Sequence, residues 1–456
     1  MRARHLARFV VLCTLAAAAA CGGDGPRRGP VMVLVLDALH AEHLGAYGGS
    51  RGVTATLDGL AARGLRFDRA FANANWTLPS TACLMTGRLQ EQHRVVSRWH
   101  RLDPSHGLLS EVFADAGYRT GCWTQMPYAG ETYGFGRGYD EFHYYGDGRE
   151  SELREGGLTL FENLARWMGA MEGRPWFAYV HLRRPHSPYD PPPKLLARLD
   201  PDGPLRDGSR DDELRHADTF MHRELPDAER ARAEALYLAN LWAVDRAIER
   251  IVTEVERQGG LLVVTSDHGE ALGTEGVWGH GIHLADDNLD VPLIVVGPGI
   301  EPGVSGEPVC SVDLFPTLLE WLGVPAPANA ALAGRSYLPV LLEGAALPPR
   351  GPVVASGKHG LGQGLQVAVV DGDRKVVVEL DGSLAAYERT GSGDRPLVGE
   401  VPPELADRVQ AWRAQHAALF EAGRVDEQVD EAHQRALERL GYGEIDGAPA
   451  EGERPR

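Results

Sequence analysis

The chain has 456 residues, 43% apolar and 24% charged, with 64 acidic against 46 basic side chains and a formal net charge of −18. This is the composition of a globular protein with two to three domains, or one large α/β domain with an appendage, and it excludes disordered, collagen-like and coiled-coil classes. A mean hydropathy of −0.25 excludes a polytopic membrane protein, and the acidic balance, with Lys194, Lys358 and Lys375 the chain's lysines, argues against nucleic acid or a polybasic membrane patch.

Residues 1–21 read as a lipoprotein-type signal peptide. Arg2, Arg4 and Arg8 form a positive start, Phe9 to Ala20 is apolar, and Cys21 precedes Gly22 and Gly23. The expectation is export to a bacterial cell envelope or periplasm, with a lipid on Cys21 as the membrane contact. Ala18 stands where that signal usually has Leu, and ordinary secretion with cleavage nearby is the alternative. Residues 22–30 read as a Gly/Pro tether. With Cys13 and Cys21 set aside, Cys83, Cys122 and Cys310 allow at most one disulfide, and no CxxC or Cys/His pair suggests a thiolate zinc site.

Val31 to Leu36 is an unbroken apolar run ending at Asp37, the pattern of a strand buried on both faces. Similar runs span Trp176 to Leu182, Leu261 to Thr265 and Val291 to Val296. Helical periodicity is clearest over Asp227 to Gln258, opened by Pro226 and closed by Gly259 and Gly260. This alternation predicts an α/β fold with a mixed, largely parallel sheet flanked by helices. The Asp200 to Glu224 loop, rich in Asp, Arg and His, is expected to overhang the pocket and set specificity. Beyond Pro348, the short β-rich pieces Gln366 to Val370 and Lys375 to Leu380 are each followed by an Asp–Gly turn, and a helix is expected over Pro403 to Ala422. The predicted organisation is a catalytic domain over 31–348, a smaller α+β subdomain over 349–442 and a disordered tail over 443–456.

Ligands of open α/β sheets sit beyond the carboxyl ends of the strands. Asp37 ends the first run, and Asp267 and His268 end the third in Thr265–Ser266–Asp267–His268–Gly269–Glu270. Two carboxylates and an imidazole from separate strands can share one divalent cation. Each also has an ordinary reading: Asp37 as a helix cap, and Asp–His–Gly as a turn. In Asn75–Trp76–Thr77–Leu78–Pro79–Ser80, Pro79 suits a first helical turn, which places Thr77 just before a helix N-terminus where anionic groups are favoured. Its hydroxyl is then either a metal-activated nucleophile or a simple cap. No clear second set of His and Asp ligands suggests a two-metal site.

Taken with its other motifs, the chain resembles the sulfatase branch of the alkaline phosphatase superfamily from about Val31 to Glu343. The landmarks, in order, include Leu34–Val35–Leu36–Asp37, Leu44–Gly45–Ala46–Tyr47–Gly48, Thr77–Leu78–Pro79–Ser80, Pro185–His186–Ser187–Pro188–Tyr189, Trp278–Gly279–His280–Gly281 and Asp313–Leu314–Phe315–Pro316–Thr317. The resemblance implies a single-metal ester hydrolase. Asp37, Asp267 and His268 match the family's metal ligands, and Thr77 matches the nucleophile, which also faces the metal. His186 matches the leaving-group acid, and His280 the residue contacting the transferred group. The implied cofactor is one divalent ion, Ca, Mn, Zn or Mg. The implied partner is a small-molecule, glycan or lipid-headgroup ester.

The chain departs from that family at the nucleophile. Formylglycine sulfatases have Cys or Ser there, with Pro two and Arg four places on, whereas this chain has Thr77, Pro79 and Thr81. Threonine cannot become formylglycine, so none is expected, and phosphoester-cleaving relatives use threonine there. Asp37 is followed by Ala38 rather than a second Asp, the family's Lys and His after the Gly–Tyr strand are missing, and Asp290 stands where Arg is common. The leading expectation is a metal-dependent phosphoester or sulfate ester hydrolase. The alternatives are a non-catalytic binder of an anionic glycan or lipid headgroup, and a phospho-group transferase.

Overall fold

The computed structural model describes residues 29–146, 159–201, 214, 225–281, 283–327, 331–348, 353–358, 365–378, 382–390, 393–397 and 401–416. The export segment with Cys21, nearly all of the 200–224 loop and the 443–456 tail lie outside the described residues.

The apolar run Val31–Leu36 forms strand β1, with every residue buried. Helix α1 (Ala55–Arg63), β2 (Leu65–Phe67), α2 (Thr77–Thr86), β3 (Arg119–Thr124), β4 (Glu141–Tyr144) and α3 (Leu160–Ala170) follow. Next come β5 (Trp176–Leu182), α4 (Asp227–Arg257), β6 (Leu261–Thr265), β7 (Leu293–Val296), β8 (Gly303–Ser305) and α5 (Leu314–Leu322). The eight strands form one sheet in the order β8-β2-β7-β6-β1-β5-β3-β4. β6, β1, β5, β3 and β4 run parallel, while β7 is antiparallel to both of its neighbours. The sheet is thus mixed and largely parallel, as expected from the alternating runs. The fourth run starts its strand late, at Leu293, because Val291 N–H donates to Ala70 O at 3.1 Å and Asp290 bridges Phe71.

Alternation along β1 sends its side chains to two cores. Val31, Val33 and Val35 pack with residues of α2 and α5, and Met32, Leu34 and Leu36 pack with those of α3 and α4. The long α4 carries Asp227 and Glu229 in its first turn and Arg257 in its last, charges that suit the helix dipole. Its buried Asp245 accepts the N–H groups of Thr56 at 3.0 Å and Leu57 at 2.9 Å, capping α1, whose own Thr54 makes no side-chain cap.

A second, antiparallel sheet runs in chain order through β9 (Val353–Lys358), β10 (Leu365–Asp371), β11 (Arg374–Val378), β12 (Leu384–Thr390) and β13 (Gly393–Pro396). The expected Asp–Gly turn joins β10 to β11, with Gly372 at φ 62°. One face of this sheet carries α6 (Pro403–Gln415) through Leu405 and Val409. The other face meets Leu284 and Leu289 of the main domain through Ala355, Ala368 and Val377.

A buried charge network reinforces that contact. Lys375 Nζ, 1% exposed, donates to Leu284 O at 2.8 Å and Asp286 Oδ1 at 2.9 Å, and also pairs with Asp394. Arg389 Nε lies 2.9 Å from Asp286 Oδ2, and its Nη2 lies 2.6 and 2.8 Å from the two oxygens of Asp290. The guanidinium also stacks 4.6 Å over Phe71. Asp290 therefore takes its arginine from β12, about a hundred residues away in sequence.

Among the described residues no helix is long and apolar enough to cross a membrane. Among the described residues Cys83, Cys122 and Cys310 are buried and form no disulfide, and burial raises the thiol pKa of Cys83 and of Cys122.

The buried His93 and the half-buried His43 both lower stability in acid. His93 Nδ1 accepts the Val95 N–H at 3.0 Å, so the ring proton sits on Nε2, 3.5 Å from Cys83 Sγ. Burial lowers the pKa of His93 and of His43 from 6.5 to about 3. The unfolded chain therefore binds these protons first, and stability falls as pH drops from 6.5 towards 3, by up to ~1.4 kcal/mol per pH unit per histidine. Urea midpoints measured from pH 7 downwards should show this slope, and His93→Gln should flatten it; parallel slopes in variant and wild type would contradict the assignment.

Candidate active site

The site lies at the carboxyl ends of β6, β1 and β5, where parallel register brings three chain segments together. Val35 pairs with His181 on one side and Thr265 on the other, so Asp37 emerges between His181 and the Ser266–Asp267–His268 turn. Ser266 Oγ ties that turn to β1: it donates to Leu36 O at 2.6 Å and accepts the Leu39 N–H at 3.0 Å. Ala38 adopts φ 59°, and its N–H faces Asp267 Oδ1 at 3.4 Å. Gly269 is required by close approach, because a Cβ there would sit 2.0 Å from Asp287 O. Its N–H donates to Asn288 O at 2.9 Å.

Thr77 is the first residue of α2 rather than the residue before it. Trp76 is extended and its carbonyl accepts the Ser80 N–H at 3.3 Å, so the helix starts one position earlier than Pro79 suggested. The Thr77 hydroxyl does not cap the helix. It lies 3.4 Å from Asp37 Oδ2 and 3.4 Å from His268 Nε2, and the residue is 2% exposed. Ser80 Oγ donates to the Asp267 carbonyl, fixing α2 against the same turn.

One ligand atom from each of Asp37, Asp267 and His268 lies within 4.8 Å of the others, all three residues being buried. His268 Nδ1 faces the Gly269 carbonyl at 2.9 Å, so Nδ1 donates there and the Nε2 lone pair faces the carboxylates. Asp37 Oδ1 and Asp267 Oδ2 are buried without a hydrogen-bond partner. Burial and the neighbouring Asp267 push the Asp37 pKa up against the pull of the histidines, the condition of a carboxylate pair that needs positive charge. This donor set fits a divalent cation.

The sequence-predicted histidines join the cluster. His186 N–H donates to Asp37 O at 3.2 Å, which fastens the Pro-rich loop to the end of β1. Its Nδ1 donates to Ser187 O, which puts Nε2 on the side of the ring away from that carbonyl. His280 Nδ1 lies 2.9 Å from Oε1 of the buried Glu270. The His280 ring centroid is 4.7 Å from that of His186 and 4.4 Å from that of His268. Burial, then His280, push the His186 pKa well below the ordinary value.

Two members were not singled out from the sequence. His181 Nε2 lies 3.2 Å from Asp37 Oδ2 and 3.7 Å from Asp267 Oδ2. Tyr179 OH, whose pKa burial raises far above the usual, lies 3.1 Å from His181 Nδ1, so its proton points there and the His181 Nε2–H faces Asp37. Glu270 stands in the Asp–His–Gly–Glu motif but shows its role only through its contact with His280. A polar residue next to the carboxyl end of an apolar strand was the available signal for His181.

The sequence profile of the sulfatase family matches residues 30–324. An arylsulfatase from Hemicentrotus pulcherrimus is 27% identical over 357 residues, covering 70% of this chain and 62% of that protein. A multifunctional alkaline phosphatase superfamily protein from Trinickia caryophylli is 29% identical over 219 residues, 41% of each chain. The chain thus spans less than two thirds of these relatives. A phosphonate monoester hydrolase from Silicibacter pomeroyi shares the fold, with a TM-score of 0.68 at 24% identity, over 88% of this chain and 100% of that one.

Proposed function

Because the chain belongs to the sulfatase family, we propose that it is a metal-dependent ester hydrolase in which Thr77 is the nucleophile and a phosphoester the substrate. The observation that carries this reading is the Thr77 hydroxyl, 3.4 Å from both Asp37 Oδ2 and His268 Nε2, beside a buried donor set of two carboxylates and an imidazole. Asp37, Asp267 and His268 would hold the cation, with Thr77 beside it. The chemistry supplied by a bound divalent ion is Lewis-acid: it lowers the pKa of the hydroxyl and offsets charge on the non-bridging oxygens.

The protein's own groups account for the rest. Thr77 first gives its hydroxyl proton to bulk water, and its Oγ1 then forms the new bond to phosphorus as the bond to the leaving oxygen breaks. His186 Nε2 gives the leaving oxygen a proton, which requires that the anionic ester first raise the depressed pKa of this histidine. His280, oriented by Glu270, contacts the transferred group. Water then cleaves the threonine ester. Phosphate is favoured over sulfate because formylglycine expels sulfate by collapsing to an aldehyde, a route closed to threonine. The segment over 1–21 would place this chemistry in the cell envelope, anchored at Cys21.

Hydrolysis of nitrophenyl phosphate, phosphodiester and sulfate, after chelation and return of Zn, Mn, Mg or Ca, tests the reading. Metal-restored cleavage of a phosphoester is expected; turnover of sulfate alone would overturn the choice of ester. His181→Phe should weaken metal affinity by about 10–100-fold through loss of its hold on Asp37. Competition with a chromogenic chelator measures that loss, and unchanged affinity would remove His181 from the site.

A further inference from the structure

A separate group of metal-ligating side chains follows β1. One ligand atom from each of His40, Glu42 and His43 lies within 4.8 Å of the others. The 3-10 turn Ala41–His43 gathers them. Two imidazoles and a carboxylate form a donor set for a borderline cation such as Zn²⁺, leaving a position for water.

Two observations point to a ligand. His40 is 6% exposed, yet its Nδ1 has no hydrogen-bond partner, and Glu42 Oε1 at 3.6 Å is too far to be one. An orphaned buried nitrogen is costly, and ligation would satisfy it. Access exists, because the Glu42 side chain is 45% exposed and with His43 it lines an open cleft of about 670 Å³. The His40–Glu42 ion pair, Nδ1 to Oε1 at 3.6 Å, is longer than a hydrogen bond and does not involve His43.

We propose that His40, Glu42 and His43 bind a second borderline divalent cation, independently of Asp37, Asp267 and His268. The two sites adjoin: a Cβ on Gly269 would come within 3.3 Å of His40 Cβ. Tyr237, whose ring centroid is 5.0 Å from that of His43, donates to Ala38 O at 2.9 Å beside Asp37.

Zn²⁺ titration of the chelated full chain, followed by calorimetry and elemental analysis, tests this. Wild type should bind about two equivalents, and His40→Ala about one. Glu42→Gln changes an exposed side chain, so it should fold normally and weaken one site about tenfold. Asp267→Asn should leave about one equivalent, and that remainder should vanish with His40→Ala. Wild-type binding of a single equivalent untouched by Glu42→Gln or His40→Ala would overturn the proposal. Failure of the Asp37, Asp267 and His268 reading would look different: Asp267→Asn would then lose nothing, while Glu42→Gln would still weaken binding.

Discussion

Thr77→Ala is expected to lower kcat for the phosphoester by about 10⁴-fold or more while the protein stays folded and binds metal. The substitution removes one hydroxyl and one methyl group from a residue whose contacts to Asp37 and His268 are long, at 3.4 Å, so little stability depends on them. Asp37, Asp267 and His268 remain to hold the cation, and titration of the variant should show near wild-type affinity. The competing idea of a non-catalytic binder predicts no turnover to lose and unchanged affinity for an anionic ligand. Full activity in Thr77→Ala would end the nucleophile assignment.

The largest effect on stability is expected from Lys375→Met. The substitution keeps the volume of the stem but removes the cation that faces Asp286 and Asp394 at 1% exposure. Breaking a buried pair by deleting one partner costs about 3–5 kcal/mol, since the remaining charges stay buried. Burial already raises Asp394 to about 7 and Asp290 to about 6, whereas Lys375 and Arg389 overcome burial to hold Asp286 below its ordinary value. A carboxyl with a raised folded pKa binds its proton more tightly folded than unfolded, so its contribution falls as pH rises through that value. Without Lys375 the effect grows, and the penalty should be smaller at pH 5 than at pH 8. Urea unfolding at the two pH values measures this; an equal or absent penalty would show that the network does not hold the second sheet in place. Because Asp286 opens and Asp290 closes the helical turn Asp286–Leu289, whose Asn288 carbonyl accepts the Gly269 N–H, the damage should reach the active-site turn.

The parts of this structure legible in sequence are those with a local cause. An apolar run such as Val31–Leu36 reports its own burial, and a motif such as Asp267–His268–Gly269 reports its place at a strand end. Motifs mark Thr77, His186 and His280, and the fold brings Thr77 and His186 beside Asp37 and His280 beside His186 and His268. The start of α2 was misjudged by one residue because Pro79 is compatible with several positions in a first turn, and the extended Trp76 decides among them. His181 was hidden by its setting, since one histidine in an apolar strand reads as core until the register puts it opposite Val35. Contacts between distant segments left no local trace: Asp245 capping α1, Arg389 answering Asp290, and Lys375 joining Asp286 to Asp394.

The central claim is that Thr77 carries the transferred group. Rapid acid quenching of the metal-loaded enzyme during phosphoester turnover, followed by peptide mass spectrometry, measures it directly. Phosphate esterified to Thr77, and absent from Thr77→Ala, is the predicted result. Continued turnover with no label on Thr77, together with activity in Thr77→Ala, would contradict it.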